Sequence, residues 1–356
     1  MRYDFIVIGG GIAGLSAGAR LSEHGTVLLL ESESALGYHA SGRSAALFEE
    51  SYGLPSTLAL NQASRAFFQA DPHLTGPRGL MLIGKTDEDA AFEADRDAMG
   101  LAELTRDEAR AMVPILNDDA ARAAWREDAW DIDTDLLMQN FARAIRGNGG
   151  AVTTGAAVTA ISRDAGGWQV TAGDAYEATT LVNAAGPWAD RVAQMAGIAP
   201  LGLQAYRRSM ARIPAPGGLD IRNWPMIFGT GESWYAKPDA GKLLVSPAEE
   251  DPAQPHDAWA DDMVLAEGLA RYEAMVTEPV TRLETSWAGL RTFAPDRSLV
   301  LGPDPTDRSF VWSAGQGGYG FQTAPAASRL VADLVTGQAP ELPPEIVAAL
   351  SPERFR

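Results

Sequence analysis

Gly9-Gly10-Gly11-Ile12-Ala13-Gly14 reads G-x-G-x-x-G, set between an apolar strand-like run at residues 5–8 and a helical pattern carrying Ile12, Leu15 and Ala19 on one face. That order leaves few folds open. Gly9 permits a tight turn, Gly11 lets a pyrophosphate approach the backbone, and Gly14 lets the helix pack closely on the strand. The helix N-terminus then offers unsatisfied N–H groups and a positive dipole end to a diphosphate. A second apolar run, residues 27–30, ends in Glu31. An acid about 20 residues beyond the first glycine accepts hydrogen bonds from ribose hydroxyls and disfavours a 2′-phosphate. Strand, glycine turn, helix, second strand and terminal acid together predict an adenine dinucleotide site. NAD and FAD both remain open at this step.

Three further segments of small residues favour FAD. The first is residues 37–46, GYHASGRSAA, in which Ser41, Gly42, Arg43, Ser44, Ala45 and Ala46 would let backbone lie against a flat ring and its linker. The second, Asn183-Ala184-Ala185-Gly186, ends an apolar strand-like run at 181–183. The third, Gly315-Gln316-Gly317-Gly318-Tyr319-Gly320, follows a strand-like run at 310–313 and leads through Phe321 into a helical run from Gln322. A glycine turn at a helix N-terminus can set N–H groups against the negative N1/O2 edge of a reduced flavin.

Composition removes several alternatives. The chain has 356 residues, 46 % apolar and 21 % charged, which suits a globular protein of two domains or one large one. It contains no Cys, which excludes disulfides, thiolate metal sites, Fe–S clusters, a cysteine nucleophile and a flavin tethered to cysteine. Its four His are scattered, so no metal site is expected. The net charge of −18 repels phosphate backbones and anionic bilayers, so no nucleic-acid partner is expected. No apolar run approaches the ~18 residues of a membrane span, and the chain opens directly into a strand-like run. A soluble, cytoplasmic protein without a signal peptide or integral membrane segment is therefore expected.

Strand-like runs alternate with helical patterns, which predicts an α/β chain. Residues 299–301 give a further strand. Thr105 and Glu108 form a capping box for a short helix that Pro114 stops. Leu137, Phe141 and Ile145 recur every four residues in a helix from Thr134 to Gly147, and residues 259–275 also read as helical. Residues 200–285 are rich in aromatic and β-type residues, unlike their Ala/Gly-rich flanks. The expected architecture is a Rossmann-type FAD-binding domain in three parts, 1–79, 131–199 and 286–356. An α+β substrate domain of mainly antiparallel sheet is inserted as 80–130 and 200–285.

Several segments resemble the D-amino-acid oxidase (DAO) superfamily of FAD-dependent amine and amino-acid oxidoreductases. They are residues 37–46, 131–135 (DIDTD), 201–209 (LGLQAYRRS), 224–226, 235–241 (YAKPDAG), 287–293 (WAGLRTF) and 316–323 (QGGYGFQT). Within it the chain is most similar to the bacterial FAD-dependent D-arginine / D-amino-acid dehydrogenases, over nearly its whole length. The resemblance implies a glycine-oxidase-like fold and oxidation of a Cα–N bond. A hydride passes from Cα to flavin N5, and the imino acid hydrolyses to a 2-oxo acid and ammonium. Arg291 is the first candidate for the substrate carboxylate, because a guanidinium binds carboxylate through two parallel hydrogen bonds. Arg208 resembles a second carboxylate arginine, with Arg207 beside it as competitor. Tyr52 and Tyr235 resemble pocket tyrosines on a lid and on the substrate sheet. Gly318 resembles a residue whose carbonyl takes the amine, with Gln322 near it, and Met226 and Phe228 align with side-chain-pocket positions. His39 stands in a context similar to that of relatives whose FAD is linked to histidine; non-covalent FAD is expected. The electron acceptor, whether quinone, other carrier or O2, is left open, and a secondary amine such as sarcosine or a 2-hydroxy acid is the alternative substrate.

Two departures from these relatives bear on specificity. Leu80 stands where the D-arginine enzymes carry a glutamate for the guanidinium, and Leu47 stands where they carry a histidine near the substrate. A buried cationic side chain would lack its partner, at a cost of several kcal/mol on an order-of-magnitude basis. Apolar side chains are therefore expected to be favoured over cationic ones. Glu49, on the lid stretch next to Glu50, argues the other way where it supplies a replacement carboxylate; the pair also reads as two solvated lid carboxylates, and both readings stay open.

Overall fold

The computed structural model describes residues 2–356. Arg2–Ile8 and Val27–Leu30 pair in parallel, with Ala151–Thr153 beyond Val27–Leu30 and Asp174–Asn183 on the other side of Arg2–Ile8. Phe310–Ala314 adds a further parallel strand, and Val300–Pro303 closes that edge antiparallel. Val27–Leu30 is buried throughout, as expected of a parallel strand covered on both faces. Phe5, Val7, Val27 and Leu29 enter one core, while Ile6, Ile8, Leu28 and Leu30 enter the other, following the two-residue strand period. The helices Ile12–Leu21, Thr134–Gly147 and Gly320–Thr336 cover the first of these faces.

The register decides where a ligand can sit. Ile8 pairs with both Leu30 and Asn183, and Asn183 pairs with Trp312, so these strands end at nearly one level. The glycine turn, Glu31 and the Asn183–Gly186 segment consequently emerge together at the carboxyl edge, where open parallel sheets bind ligands. This is a Rossmann-type layer, as read from the sequence.

A second, nine-stranded sheet carries the remainder of the site. Its backbone is the antiparallel run Gln204–Pro214, Lys242–Ser246, Tyr235–Asp239 and Met226–Gly229. Met226–Gly229 then pairs in parallel with Leu80–Gly84, so two segments distant in sequence share one sheet. Thr285–Phe293 lies antiparallel along Gln204–Pro214, which carries this sheet beyond residue 285. A small third sheet of Leu47–Phe48, Trp130–Ile132 and Thr75–Pro77 holds the chain leading to Glu49.

The helix expected over 259–275 is shorter, Asp262–Glu273. Asp261 accepts from the N–H groups of Met263 and Val264 and so begins the helix there, leaving Trp259 outside it and 69 % exposed. No helix among the described residues is long and apolar enough to cross a membrane.

Candidate active site

Three adjoining cavities run from the carboxyl edge of the parallel sheet to the face of the large sheet. The outermost is lined by Gly9, Gly11, Glu31, Ser41, Ala185 and Gly186, together with Trp188, Arg191 and Met195. Glu31 is buried, and its Oε2 accepts from the Gly10 N–H at 2.6 Å while Oε1 accepts from the Glu33 N–H at 2.8 Å. A carboxylate has about four lone-pair directions, so capacity is left for a ribose hydroxyl. The glycine turn has no room for side chains: a Cβ on Gly9 would lie 2.3 Å from the Ala184 oxygen, and one on Gly14 would lie 1.9 Å from the Gly9 oxygen. The N-cap residue Gly11 has no side chain to cap the helix that follows; Ser41 Oγ takes the Ile12 N–H at 3.0 Å, and the next N–H groups are placed for a diphosphate.

The middle cavity is lined by Ile12, Ala13, Ser41, Arg43, Ser44 and Ala45 on one side, and by Arg208, Tyr235, Arg291, Gly317, Gly318, Gly320 and Phe321 on the other. Its walls are backbone, small side chains and strand face, a slot suited to a flat ring. The helix Gly320–Thr336 opens onto it with no side-chain cap. Donor-rich helix ends at both cavities, a buried acid lining the outer one and a slot beside it fit FAD. Gly9, Gly11, Glu31, Ser41 and the two helix N-termini are the groups that would hold it.

The third cavity is built by sheet register. Directly opposed residues on antiparallel strands share a face, and so do residues two apart on one strand. Arg291 is opposite Tyr206 and Gly289 is opposite Arg208, so Arg291 and Arg208 are diagonal neighbours on one face. Tyr235 opposes Phe228, and Leu80 pairs with Met226, bringing all of these to the cavity. The same alternation turns Arg207 away, where it pairs with Asp251 at 2.6 Å. Between the two neighbours, then, Arg208 lines the cavity and Arg207 does not.

The positive charge on this face is only partly paired. Among the described residues the Arg291 guanidinium has no hydrogen-bond or ion-pair partner, and a Cβ on Gly318 would lie 3.0 Å from its Cζ and Nη1. Arg208 is buried, touches Glu250 at 3.3 Å and keeps an unpartnered Nε. Burial, and secondly the facing Arg291 charge, hold the Arg208 pKa below its ordinary value. An anion set between the two guanidinium groups would relieve both effects.

Opposite lies the segment after Leu47–Phe48. Tyr52 donates to Glu232 Oε2 at 2.9 Å, and its ring lies 5.3 Å from that of Tyr319. Burial and the Glu232 carboxylate push the Tyr52 hydroxyl far above its ordinary pKa, so it remains a donor. Glu49 is buried rather than solvated, with burial raising its pKa despite Arg126 at 3.1 Å and bonds from Ser51. Glu50 instead turns outward to Arg65.

Every residue expected in the substrate pocket lines this third cavity: Leu47, Glu49, Tyr52, Leu80, Arg208, Met226, Phe228, Tyr235, Arg291, Gly318 and Gln322. Ala46 lines it too. Four residues expected at the cofactor line none of the cavities: Gly14, Gly42, Gly315 and Tyr319. Gly14 and Gly42 shape turns, the latter donating to the carbonyls of Gly37 and His39, and Tyr319 packs on Tyr52. Arg43 lines the slot, but its guanidinium is engaged by Asp257 and the carbonyls of Ala258 and Ala288. Sequence reasoning misses Met99, Glu232 and Trp234 in the substrate cavity, and Trp188, Arg191 and Met195 in the outer one. Of these, Trp234 has a usable signal, its place beside Tyr235.

Comparison with known proteins places this geometry. The family described as DAO, FAD dependent oxidoreductase, matches residues 4–334. The glycine oxidase of Geobacillus kaustophilus is 26 % identical over 360 residues, spanning 94 % of this chain and 93 % of that enzyme. The L-2-hydroxyglutarate dehydrogenase of Escherichia coli K12 is 27 % identical over 216 residues, 56 % of this chain and 51 % of that enzyme. The crystal structure of the Geobacillus kaustophilus glycine oxidase superposes with a TM-score of 0.85 at 24 % identity, covering 98 % of each chain. With the dinucleotide turn, the flavin slot and the paired arginines in place, the chain belongs to the DAO family of FAD-dependent oxidoreductases.

Proposed function

We propose that this enzyme oxidatively deaminates a D-amino acid, favouring apolar over cationic side chains, as a relative of the D-amino-acid dehydrogenases. The observation that carries the reading is the unpaired Arg291 guanidinium facing the cavity beside buried Arg208. Such a pair takes an α-carboxylate, and the two-point geometry of a guanidinium restricts how the Cα substituents are presented to the slot. FAD, when bound, supplies the two-electron acceptor for the Cα hydrogen. The Gly318 backbone lies beside Arg291, and its carbonyl would accept from the amine, while Tyr235 lines both slot and pocket. Leu47 offers no proton acceptor, so the substrate ammonium loses its proton to water or hydroxide and the rate rises with pH. His39 lies 3.0 Å from Glu33 and against Trp188 in the outer cavity, which supports FAD held without a covalent link.

A second reading, oxidation of a secondary amine or 2-hydroxy acid, draws on the same arginines, since they recognise only the carboxylate. The similarity to an L-2-hydroxyglutarate dehydrogenase favours it. Anaerobic flavin reduction, followed by absorbance over D- and L-amino acids, sarcosine and 2-hydroxy acids, separates the two. Bleaching by D-amino acids is expected. Bleaching only by sarcosine or a 2-hydroxy acid overturns the deamination reading.

A further inference from the structure

Besides Arg208, two residues lining the substrate cavity, Glu49 and Gln322, each carry a buried polar atom without a partner among the described residues. Glu49 is 4 % exposed; its Oε1 accepts from the Ser51 N–H at 2.8 Å, the Ser51 hydroxyl at 2.9 Å and Arg126 at 3.1 Å, while its Oε2 has no partner among the described residues. Gln322, also 4 % exposed, accepts the Glu49 N–H on Oε1 at 3.1 Å, which fixes its amide orientation and leaves Nε2 without a partner. Both residues line the substrate cavity and neither lines the flavin slot. Unmade hydrogen bonds at buried atoms cost free energy, and a native site that tolerates two on residues joined by a hydrogen bond is shaped for a group that supplies them.

We propose that Glu49 and Gln322 together read the end of the substrate side chain and select an uncharged group offering both a donor and an acceptor, a carboxamide or a hydroxyl. The inference rests on the deamination reading above and refines it. The donor would go to Glu49 Oε2 and the acceptor would take the Gln322 amino group. Arg126 already pairs with Glu49 through Oε1, so a second cation gains less at this carboxylate and meets the Gln322 donor; Glu232, the other acid lining the cavity, accepts from Tyr52, and D-lysine tests whether it draws a cation. An anionic side chain would meet Glu49 itself. Leu47, Leu80, Met226 and Phe228 supply an apolar sleeve for the stem. A purely apolar side chain fills that sleeve but leaves both polar atoms unpaired.

The test compares substrates matched in size on the flavin-loaded enzyme: D-asparagine with D-leucine, and D-threonine with D-valine, with D-lysine as the cationic arm. Anaerobic flavin-reduction rates against concentration give the selectivity. The polar member of each pair is expected to exceed its apolar isostere by roughly tenfold to a hundredfold, the range set by a buried hydrogen-bonding group left unpaired. Gln322→Met, compared at equal flavin absorbance, is expected to narrow that ratio toward one. An apolar isostere that equals or beats its partner, D-lysine ahead of D-asparagine, or a ratio unmoved by Gln322→Met overturns the inference and leaves deamination standing. Flavin bleached by no D-amino acid overturns both.

Discussion

A guanidinium holds a carboxylate through geometry as well as charge, and at Arg291 the two can be separated. The residue sits on a strand, diagonal to Arg208, with the Gly318 backbone against its Cζ. A lysine there keeps one positive charge but loses the planar pair of donors. Arg291→Lys is expected to retain FAD, because the groups of the outer cavity are untouched. The rate constant for flavin reduction and the apparent substrate affinity should both fall, together lowering kcat/KM on the order of a hundredfold, the loss that misplacement by about 1 Å produces in an oriented reaction. Stopped-flow reduction with the best D-amino acid measures it. An unchanged kcat/KM removes Arg291 from the site.

Local elements are legible in the sequence where their signals lie within a few residues of one another. Thr105 and Glu108 do form a reciprocal box: Thr105 Oγ1 accepts the Glu108 N–H at 3.3 Å, and Glu108 Oε2 accepts the Thr105 N–H at 2.8 Å. Thr105→Ala should cost about 1 kcal/mol in urea denaturation. The bond from the Thr105 hydroxyl, then that from its N–H, holds the Glu108 pKa below the ordinary carboxylate value. Its stabilising effect is therefore present above that ordinary value and lost as pH falls through the depressed one. Thr105→Ala should flatten this acid limb of the stability curve. The dinucleotide turn is equally plain, since strand, glycines, helix and acid follow one another along the chain. Burial of Glu49 is not: Glu49-Glu50 reads as a solvated pair, and only Arg126, brought alongside by Leu80–Gly84 pairing with Arg122–Arg126, makes one of them an interior residue. The outer wall of Trp188, Arg191 and Met195 is hidden for the same reason, because the turn Gly186–Trp188 and the short helix Ala189–Met195 deliver it with no local signal that sets them against the glycine turn. Where a family likeness supplies the pairing, as for Arg208, Tyr235 and Leu80, the pocket can be named residue by residue.

The parallel sheet offers donors and an acid at its carboxyl edge, the large sheet offers arginines and an apolar sleeve, and the flavin slot has walls from both. A ligand spanning that junction binds the folded chain and not the unfolded one, so it stabilises the whole assembly by mass action: about 2.7 kcal/mol when free FAD is 100 times its Kd. Glu31 is the test of this coupling. Its carboxylate both secures the Gly10 N–H and faces the outer cavity, so Glu31→Ala removes a ligand contact and leaves a buried donor unpaired, the latter costing roughly 1–3 kcal/mol. The variant is expected to melt at lower temperature without FAD, to need more FAD for the same upward shift, and to lose flavin on gel filtration that the wild type retains. Arg291→Lys, on the large sheet, should follow the wild-type FAD titration. Equal flavin affinity in Glu31→Ala and wild type would confine Glu31 to shaping the turn and take it out of the cofactor site.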